Sequence, residues 1–283
     1  MALPQTAPTT LPILNNKGGI GKTTTAVNLA AGLARAGQTV LVVDLDSQVS
    51  ASLSLGLSRD QLSPSVADVL FGDANVEDAI RTLDADPVDL LPASLDLANA
   101  DVSLFNADDR HHRLARLLDE VEPLYDFIFL DCPPSTSLLT LNAMVAGDAL
   151  LIPVSPAYLA LEGVVRLGEV IKQARDSLNQ TTPVLGLLLT MVDREIDNTE
   201  AVISQIRTYY GEKVFSTEIR HDDSLVRAAE QGRSIFAQSP ASPGADDYAA
   251  LASEVYERAQ QHRVSSSSPA ASSQHERGTT DLR

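Results

Sequence analysis

Residues 11–28 read LPILNNKGGIGKTTTAVN, and this stretch decides the fold of the chain. A short apolar segment leads into a glycine-rich turn, and the turn leads into a segment with helical periodicity. This strand-loop-helix order is the context that a phosphate-binding loop requires. Glycines let backbone N–H groups approach phosphate oxygens closely, and the N-terminus of the following helix adds partial positive charge. The stretch therefore predicts a nucleotide phosphate site on an α/β fold.

Within the loop, each residue type has an expected contact with the nucleotide. Lys22 is expected to reach the β- and γ-phosphates, and the hydroxyl of Thr23 is expected to bind Mg²⁺. A purely structural glycine turn is the alternative, but two lysines, three glycines and a threonine pair in register argue against it. The residues of the loop predicted to contact ATP are Gly18, Gly19, Ile20, Gly21, Lys22, Thr23 and Thr24.

Outward from the loop, short runs rich in Val, Ile and Leu alternate with longer amphipathic segments. Most short runs are continuously apolar, as strands covered by helices on both faces are. This pattern predicts a single-domain α/β P-loop NTPase with a mostly parallel twisted sheet flanked by helices on both faces. The predicted strands are Leu11–Asn15, Thr39–Asp44, Val88–Leu91, Phe127–Asp131, Ala149–Val154, Val184–Val192 and Lys213–Ile219. The predicted helices are Lys22–Ala36, Arg110–Val121, Leu138–Ala146, Leu161–Leu178, Thr199–Tyr210, Ser224–Gln231 and Asp246–Gln260.

The composition bounds the domain and its compartment. Residues 1–10 are polar, rich in Pro and Thr, and predicted to be flexible. Residues 11–263 form the predicted ATPase domain, and residues 264–283 form a Ser-rich tail predicted to be disordered. No apolar run reaches the roughly 18–20 residues that cross a bilayer. The single cysteine, Cys132, excludes an internal disulfide framework and a cysteine-pair metal site within one chain. These features predict a cytoplasmic protein without membrane attachment.

Two further apolar strands end in carboxylates. Asp44 and Asp46 close one strand and lie one residue apart, so alternation directs them to the same side at the carboxyl edge, where ligands bind in open α/β sheets. Asp131 closes another strand and is followed by Cys132 and two prolines. Capping of the next helix is the alternative reading of the first pair. Because three separate segments converge where one site needs them, the sequence predicts a single nucleotide site.

The net charge sets a constraint on partners. The chain has a formal charge of −17 and a pI near 4.5. Such a surface repels nucleic acid on average, so any DNA binding requires a local basic patch. Charge alone does not decide whether DNA is bound.

The loop departs from the ordinary G-x-x-x-x-G-K-[ST] pattern, because Asn16 occupies the first glycine position and Lys17 follows it. The resulting form resembles the deviant Walker A box of the ParA/MinD superfamily of ATPases, and the resemblance extends from about Pro12 to Tyr256. It implies that Lys17 reaches across a dimer interface to the nucleotide of the partner, and that Lys17 and Lys22 are catalytic together with Asp46.

The same resemblance assigns roles to the carboxylates. Asp44 is expected to support the phosphate loop and the Mg²⁺ shell, and Asp46 is expected to position the attacking water. Asp131 resembles the Walker B carboxylate and is expected to hold Mg²⁺ through water. The family pattern D-x-D-P-Q-G-N is only partly met, because the chain has Ser47, Val49 and Ser50 in place of its Pro, Gly and Asn.

The second half of the chain resembles the partition branch of the superfamily. Gly186–Asp193 is similar to the G-[VL]-L-x-T-M-x-D strand of ParA proteins. The resemblance implies a chromosome- or plasmid-partitioning ATPase that forms a homodimer on Mg-ATP and binds double-stranded DNA without sequence preference. It also implies slow hydrolysis stimulated by a ParB-like centromere-binding protein, and a location at the nucleoid.

One expected DNA contact is missing from its usual place, since His221 stands where such proteins carry an arginine. The alternative for each of the arginines named next is that it is a solvated surface residue without a role in DNA binding. The cationic residues considered for DNA binding are Arg194, Arg220, Arg227 and Arg233.

Two other functions stay open at this point. An ATP-driven protein- or cargo-positioning switch, MinD-like or an orphan ParA, fits the acidic charge and does not bind DNA. A small-molecule kinase or ligase uses the same loop, but the sequence has no recognisable second substrate motif.

Overall fold

The computed structural model describes residues 8–157, 160–178 and 182–267, and the helices and strands given below belong to these ranges. The strands are β1 (Thr9–Ile13), β2 (Val40–Asp44), β3 (Arg81–Thr82), β4 (Asp89–Leu91), β5 (Phe127–Asp131), β6 (Leu150–Val154), β7 (Val184–Val192) and β8 (Val214–Arg220). The helices of the first half are α1 (Lys22–Arg35), α2 (Ser50–Ser54), α3 (Val66–Phe71), α4 (Val76–Ala79), α5 (Ala100–Ser103) and α6 (Arg113–Asp119). The remaining helices are α7 (Leu138–Ala146), α8 (Ala160–Leu178), α9 (Thr199–Tyr210), α10 (Asp223–Glu230), α11 (Ile235–Gln238) and α12 (Pro243–Ser267).

All eight strands form one sheet in the order β3-β4-β2-β5-β1-β6-β7-β8. Neighbouring strands are parallel, except β3 and β4, which are antiparallel. The chain builds the sheet in both directions from β1, which lies between β5 and β6. In open α/β sheets ligands bind beyond the carboxyl ends of the strands at such a switch point. The turn that follows β1 therefore lies at the expected binding edge, and the predicted fold class is confirmed.

Helices cover both faces of the sheet, and successive strand residues pack into opposite cores. In β2, Leu41 and Val43 belong to one core, whereas Val40 and Val42 belong to the other. The first core is closed mainly by α6, α7, α8 and α9, and the second by α1, α10, α11 and α12. Because both faces are buried, the strands need apolar residues at every position, which explains their continuous apolar runs.

Most predicted elements agree with the structure to within three residues at each end, but both ends of the predicted domain need correction. Thr9 and Thr10 lie in β1, so the predicted flexible segment 1–10 is wrong for these two residues; β-branched threonine fits a buried strand. The last helix, α12, runs to Ser267, four residues into the predicted disordered tail. Residues 1–7 and 268–283 lie outside the described residues.

Six short elements were not predicted from the sequence. These have two to six residues, too few to show a helical or strand period. They are α2, α3, α4, α5, α11 and the edge strand β3. Within residues 8–157, 160–178 and 182–267, no helix is long and apolar enough to cross a membrane.

Candidate nucleotide site

The turn between β1 and α1 has the backbone shape that its glycines allow. Gly19 and Gly21 have φ values of 68° and 84°, in the left-handed region that favours glycine. Gly21 directly precedes the first residue of α1, so the N-terminus of this helix points its unpaired N–H groups at the turn. The local geometry is that of an anion-binding cup.

Neighbouring strands hold this turn in place. The side-chain amide of Asn15 donates to the carbonyl of Pro153 in β6 (2.8 Å), and its oxygen accepts from the N–H of Lys17 (3.1 Å). On the β7 side, the hydroxyl of Thr190 donates to the carbonyl of Ile20 (2.9 Å). The loop is therefore fixed before any ligand binds, which lowers the ordering cost of binding.

The two lysines of the loop are placed differently. Lys22 is 7% exposed, and its ammonium donates to the carbonyl of Lys17 (3.0 Å). Burial lowers the pKa of Lys22, and the charge of Asp131 opposes this effect. The side chain of Lys17 is exposed. The Lys22 side chain thus lies inside the loop, whereas the Lys17 side chain lies at the surface.

The predicted carboxylates of β2 and β5 come together below the loop. Asp44 and Asp131 are register partners in adjacent strands, and both are buried. Asp131 accepts a hydrogen bond from the hydroxyl of Thr23 (2.7 Å) through Oδ2, while its Oδ1 is buried and has no hydrogen-bond partner among the described residues. Burial raises the pKa of Asp131, and the nearby charge of Asp44 raises it further.

Asp44 is tied to the loop that follows β2. Its Oδ2 accepts from the N–H and the hydroxyl of Ser52 (2.9 and 2.7 Å), and its Oδ1 accepts from the N–H of Asp46 (3.1 Å). Burial raises the pKa of Asp44 to about 6, although the hydrogen bonds from Ser52 lower it. The carboxyl group therefore supports this loop from inside the protein.

Asp46 begins a tight turn in which Val49 replaces the glycine of the family pattern. Oδ1 of Asp46 accepts from the N–H of Gln48 (3.0 Å), and its carbonyl accepts from the N–H of Val49 (2.8 Å). Val49 has a φ of 57°, a conformation that costs a non-glycine residue about 1–2 kcal/mol. Because the Val49 side chain is fully buried, its packing offsets this strain. The loop keeps a glycine-like turn despite the substitution.

The residues at the site fit a magnesium ion that is also held by phosphate and water. Among the residues that the structure describes, no three His, Cys, Asp or Glu side chains lie close enough to hold a metal ion by themselves. The Thr23 hydroxyl and the unpaired Oδ1 of Asp131 are the oxygens available at the end of the loop. Mg²⁺ keeps several waters and uses few protein ligands, so this sparse set is sufficient.

The sequence analysis did not predict a pocket beside the loop. This pocket, called the base pocket below, has a volume of about 340 Å³ and lies between α1 and the ends of β7 and β8. Its walls are mostly apolar, as sites for flat aromatic ligands are. The sequence feature that could have indicated this pocket is Thr190–Asp193, the end of the Gly186–Asp193 motif, because it ends a strand at the same edge of the sheet as the loop. The residues around the opening include Gly21, Thr24, Met191, His221, Leu225 and Val226.

Two of the four arginines considered for DNA binding are held by carboxylates. Arg194 forms ion pairs with Glu200 (3.1 Å) and Glu218 (2.7 Å). Arg220 donates from two nitrogens to Asp247, with a shortest distance of 2.7 Å. Such pairs neutralise much of the charge that a phosphate would meet. The other two, Arg227 and Arg233, form no ion pair among the described residues, although Arg227 donates to the hydroxyl of Ser224 (2.8 Å).

Replacing Asp131 with asparagine is expected to stabilise the nucleotide-free protein. Burial raises the pKa of Asp131, so the folded protein favours the neutral carboxyl group. As the pH rises above the pKa of about 3.9 that an aspartate has in the unfolded chain, the folded state therefore loses stability relative to the unfolded state. We expect Asp131→Asn to raise the free energy of unfolding by about 1 kcal/mol at pH 8, which is about 2–4 °C in melting temperature. Near pH 4 we expect no change in either quantity. Thermal unfolding in EDTA measures the difference. Asp73→Asn, at an exposed position, is the control, and a gain independent of pH would contradict the explanation.

Comparisons with known proteins agree with this geometry. A protein-family profile described as an AAA domain matches residues 9–184. The sporulation initiation inhibitor protein Soj of Bacillus subtilis is 40% identical over 245 residues, which cover 87% of this chain and 97% of Soj. The chromosome-partitioning ATPase Soj of Treponema pallidum is 40% identical over 249 residues, which cover 88% of this chain and 97% of that protein.

Among solved structures, the cobyrinic acid a,c-diamide synthase of Mycobacterium smegmatis, crystallised with ADP and magnesium, has a TM-score of 0.78 to this chain. It is 30% identical, and the match covers 89% of this chain and 96% of the synthase.

Proposed function

Because the chain belongs to the Soj/ParA family of partition ATPases, we propose that it segregates DNA as an ATP-dependent homodimer that binds DNA without sequence preference. It is an ATP hydrolase with ATP and Mg²⁺ as cofactors. The proposal rests on one observation: the exposed Lys17 and the buried Lys22 belong to the same rigid phosphate loop. The chromosome-partitioning ATPase Soj of Treponema pallidum is 40% identical to this chain and the synthase is 30% identical, which favours this function over that of a small-molecule synthase.

In the proposed mechanism, positioning and charge neutralisation accomplish most of the catalysis, as is general for phosphoryl transfer. The backbone of the loop and Lys22 bind the phosphates, with the Lys22 ammonium exchanging the Lys17 carbonyl for phosphate oxygens. Mg²⁺, when bound, would neutralise the negative charge that develops on these oxygens. Thr23 and, through water, Asp131 would hold the ion, while Asp44 supports the loop and Asp46 orients the attacking water.

The base pocket is the proposed site of the adenine ring. It adjoins Gly21 and Thr24 of the phosphate loop, so a nucleotide can occupy both sites at once. Met191 provides apolar surface at the pocket wall and is 36% exposed. Burial of a flat aromatic base against these apolar walls would add affinity.

Lys17 is proposed to bind the nucleotide of the partner subunit. We expect Lys17→Ala to keep monomer ATP affinity within about threefold but to abolish the ATP-dependent dimer, because the lost charge-assisted bond acts only across the interface. Analytical ultracentrifugation with Mg-ATP, in an Asp46→Ala background that slows hydrolysis, measures dimer formation. Lys172→Ala, at an exposed lysine elsewhere, is the control. A Lys17→Ala chain that still dimerises on ATP counts directly against this role.

DNA binding by the dimer is tested by gel shifts on random duplex DNA with ATP and with ADP. The proposal expects retention with ATP only, and it expects this retention to weaken steeply as salt is raised. Arg227→Ala combined with Arg233→Ala is expected to weaken retention further. Absence of ATP-dependent, salt-sensitive retention removes the DNA half of the proposal. A ParB-like protein is the proposed activator, and its addition is expected to raise the hydrolysis rate.

A second function is favoured by a specific observation. Arg194 and Arg220 are occupied by carboxylates, and the whole chain has a charge of −17. A protein-positioning switch that never contacts DNA accommodates both facts. A pull-down with the Asp46→Ala protein and ATP separates the two functions, since recovery of a protein partner without nucleic acid selects the second.

A further inference from the structure

The lysines of this protein are few and unevenly placed. The chain has four: Lys17 and Lys22 in the phosphate loop, and Lys172 and Lys213. These last two come from different elements, α8 and the turn before β8, yet both line one groove between α8 and α9. We call it the α8–α9 groove. Both lysines outside the phosphate loop therefore lie at one groove, in a protein whose other cationic residues are mostly arginines.

The floor and rim of the α8–α9 groove are apolar and aromatic. The groove has a volume of about 340 Å³, and its floor includes the buried side chains of Ile152, Val164 and Leu187. At the rim, Val165 is 40% exposed and Tyr209 is 67% exposed. The ring of Tyr209 packs edge-on against that of Tyr210, with centroids 4.8 Å apart, which fixes its position.

Neither of the two lysines pairs with a carboxylate among the residues that the structure describes. All ion pairs found among the described residues are made by arginines. Lys172 and Lys213 are exposed and lie more than 4.0 Å from any carboxylate oxygen in this part of the chain. The other charged residues at the groove are Glu169 and Arg175, and Arg175 donates to the carbonyl of Thr182. The groove therefore has a net charge of about +2 on a chain of charge −17.

We propose that the α8–α9 groove is the docking site of an acidic amphipathic helix of a partner protein. The apolar face of this helix packs on the floor and on Tyr209, while its carboxylates pair with Lys172 and Lys213. A helix fits better than an added strand, because β6 and β7 beneath the groove are paired on both sides and offer no free backbone edge. Duplex DNA needs a longer row of cations and gains little from an apolar floor.

The groove is remote from the nucleotide. Val184 begins β7 and Lys213 directly precedes β8, so the groove opens at the edge where these parallel strands begin. The phosphate loop lies at the opposite edge, beyond the carboxyl end of β1. A dimer formed around the nucleotide therefore leaves the groove open, and the inference goes beyond the proposed function without depending on it.

Selection from a phage-displayed random peptide library on the full chain tests the proposal. Enriched peptides are expected to be acidic, with apolar residues at helical spacing, and each is then measured by fluorescence anisotropy. The double variant Lys172→Glu, Lys213→Glu is expected to weaken binding by about tenfold or more, because it reverses both charges. The matched control is Arg59→Glu, Arg166→Glu, which makes the same charge change at exposed positions outside the groove and is expected to leave binding within about twofold.

The uncharged variant Lys172→Gln, Lys213→Gln keeps the test decisive if the reversed charges lower the melting temperature. It is expected to weaken binding by an intermediate amount, and ATP hydrolysis is expected to be unchanged in every groove variant. Lack of enrichment, enrichment of basic peptides only, or equal binding by the groove and control variants overturns the proposal. If the groove variants no longer bind random duplex DNA but still bind the peptides, the groove is a nucleic-acid site and the proposal is wrong.

Discussion

Replacing Lys22 with alanine is expected to lower the affinity for Mg-ATP about a hundredfold or more. The ammonium is buried inside the phosphate loop, and the bond to the Lys17 carbonyl is the only one that the structure gives it among the described residues. A phosphate oxygen in place of that carbonyl forms a charge-assisted bond in a water-poor site, and such bonds are about twice as strong as neutral ones. Alanine removes this bond and leaves the phosphates unneutralised.

Isothermal titration calorimetry with Mg-ATP measures the effect of Lys22→Ala. Since burial already lowers the pKa of Lys22, removing its charge is not expected to destabilise the nucleotide-free fold. An unchanged or higher melting temperature therefore separates lost binding from lost folding. Lys213→Ala is the matched control and is expected to bind ATP normally. Normal heat of ATP binding by Lys22→Ala would remove the phosphate loop from the mechanism.

Replacing Asp46 with alanine is expected to lower the hydrolysis rate about 10²–10³-fold while ATP affinity stays within about threefold. Asp46 is close enough to Lys22 and Asp131 to influence the pKa of each, yet it is only partly buried. It is therefore placed to orient a water at the phosphates without binding them. The expected result is a protein trapped in its ATP-bound state.

A paired variant distinguishes the two roles of Asp46. Its Oδ1 accepts from the N–H of Gln48, so alanine also removes a turn contact. Asp46→Asn keeps an oxygen for that contact but removes the charge. Single-turnover hydrolysis is expected to be equally slow in both variants. Wild-type turnover by Asp46→Asn would instead assign Asp46 a structural role in the loop.

Much of the fold was predictable because its signals are local. The turn after β1 needs glycine at Gly19 and Gly21, and a buried parallel strand needs an unbroken apolar run such as Phe127–Asp131. Short elements such as α2 and α4 give no such period, and their positions depend on tertiary packing. Val49 is a further case, since no local rule predicts a β-branched residue at a φ of 57°.

The convergence of the site was predictable in outline but not in detail. Parallel strands that end in Asp44 and Asp131 meet at the same edge, so their proximity follows from the fold. The unpaired Oδ1 of Asp131 does not follow, because it depends on which donors fold back over the strand. The base pocket was missed for the same reason, since its walls come from distant segments.

The sequence by itself determined the phosphate loop, the parallel sheet and the family, because each is encoded in residues that are close together along the chain. Only the tertiary structure decided how the charges are used. Arg194 and Arg220 became partners of carboxylates, whereas Lys172 and Lys213 line one apolar groove and form no ion pair within the described ranges. The physical reason is that an ion pair depends on distance in space, and residues far apart in sequence acquire that distance only when the chain folds.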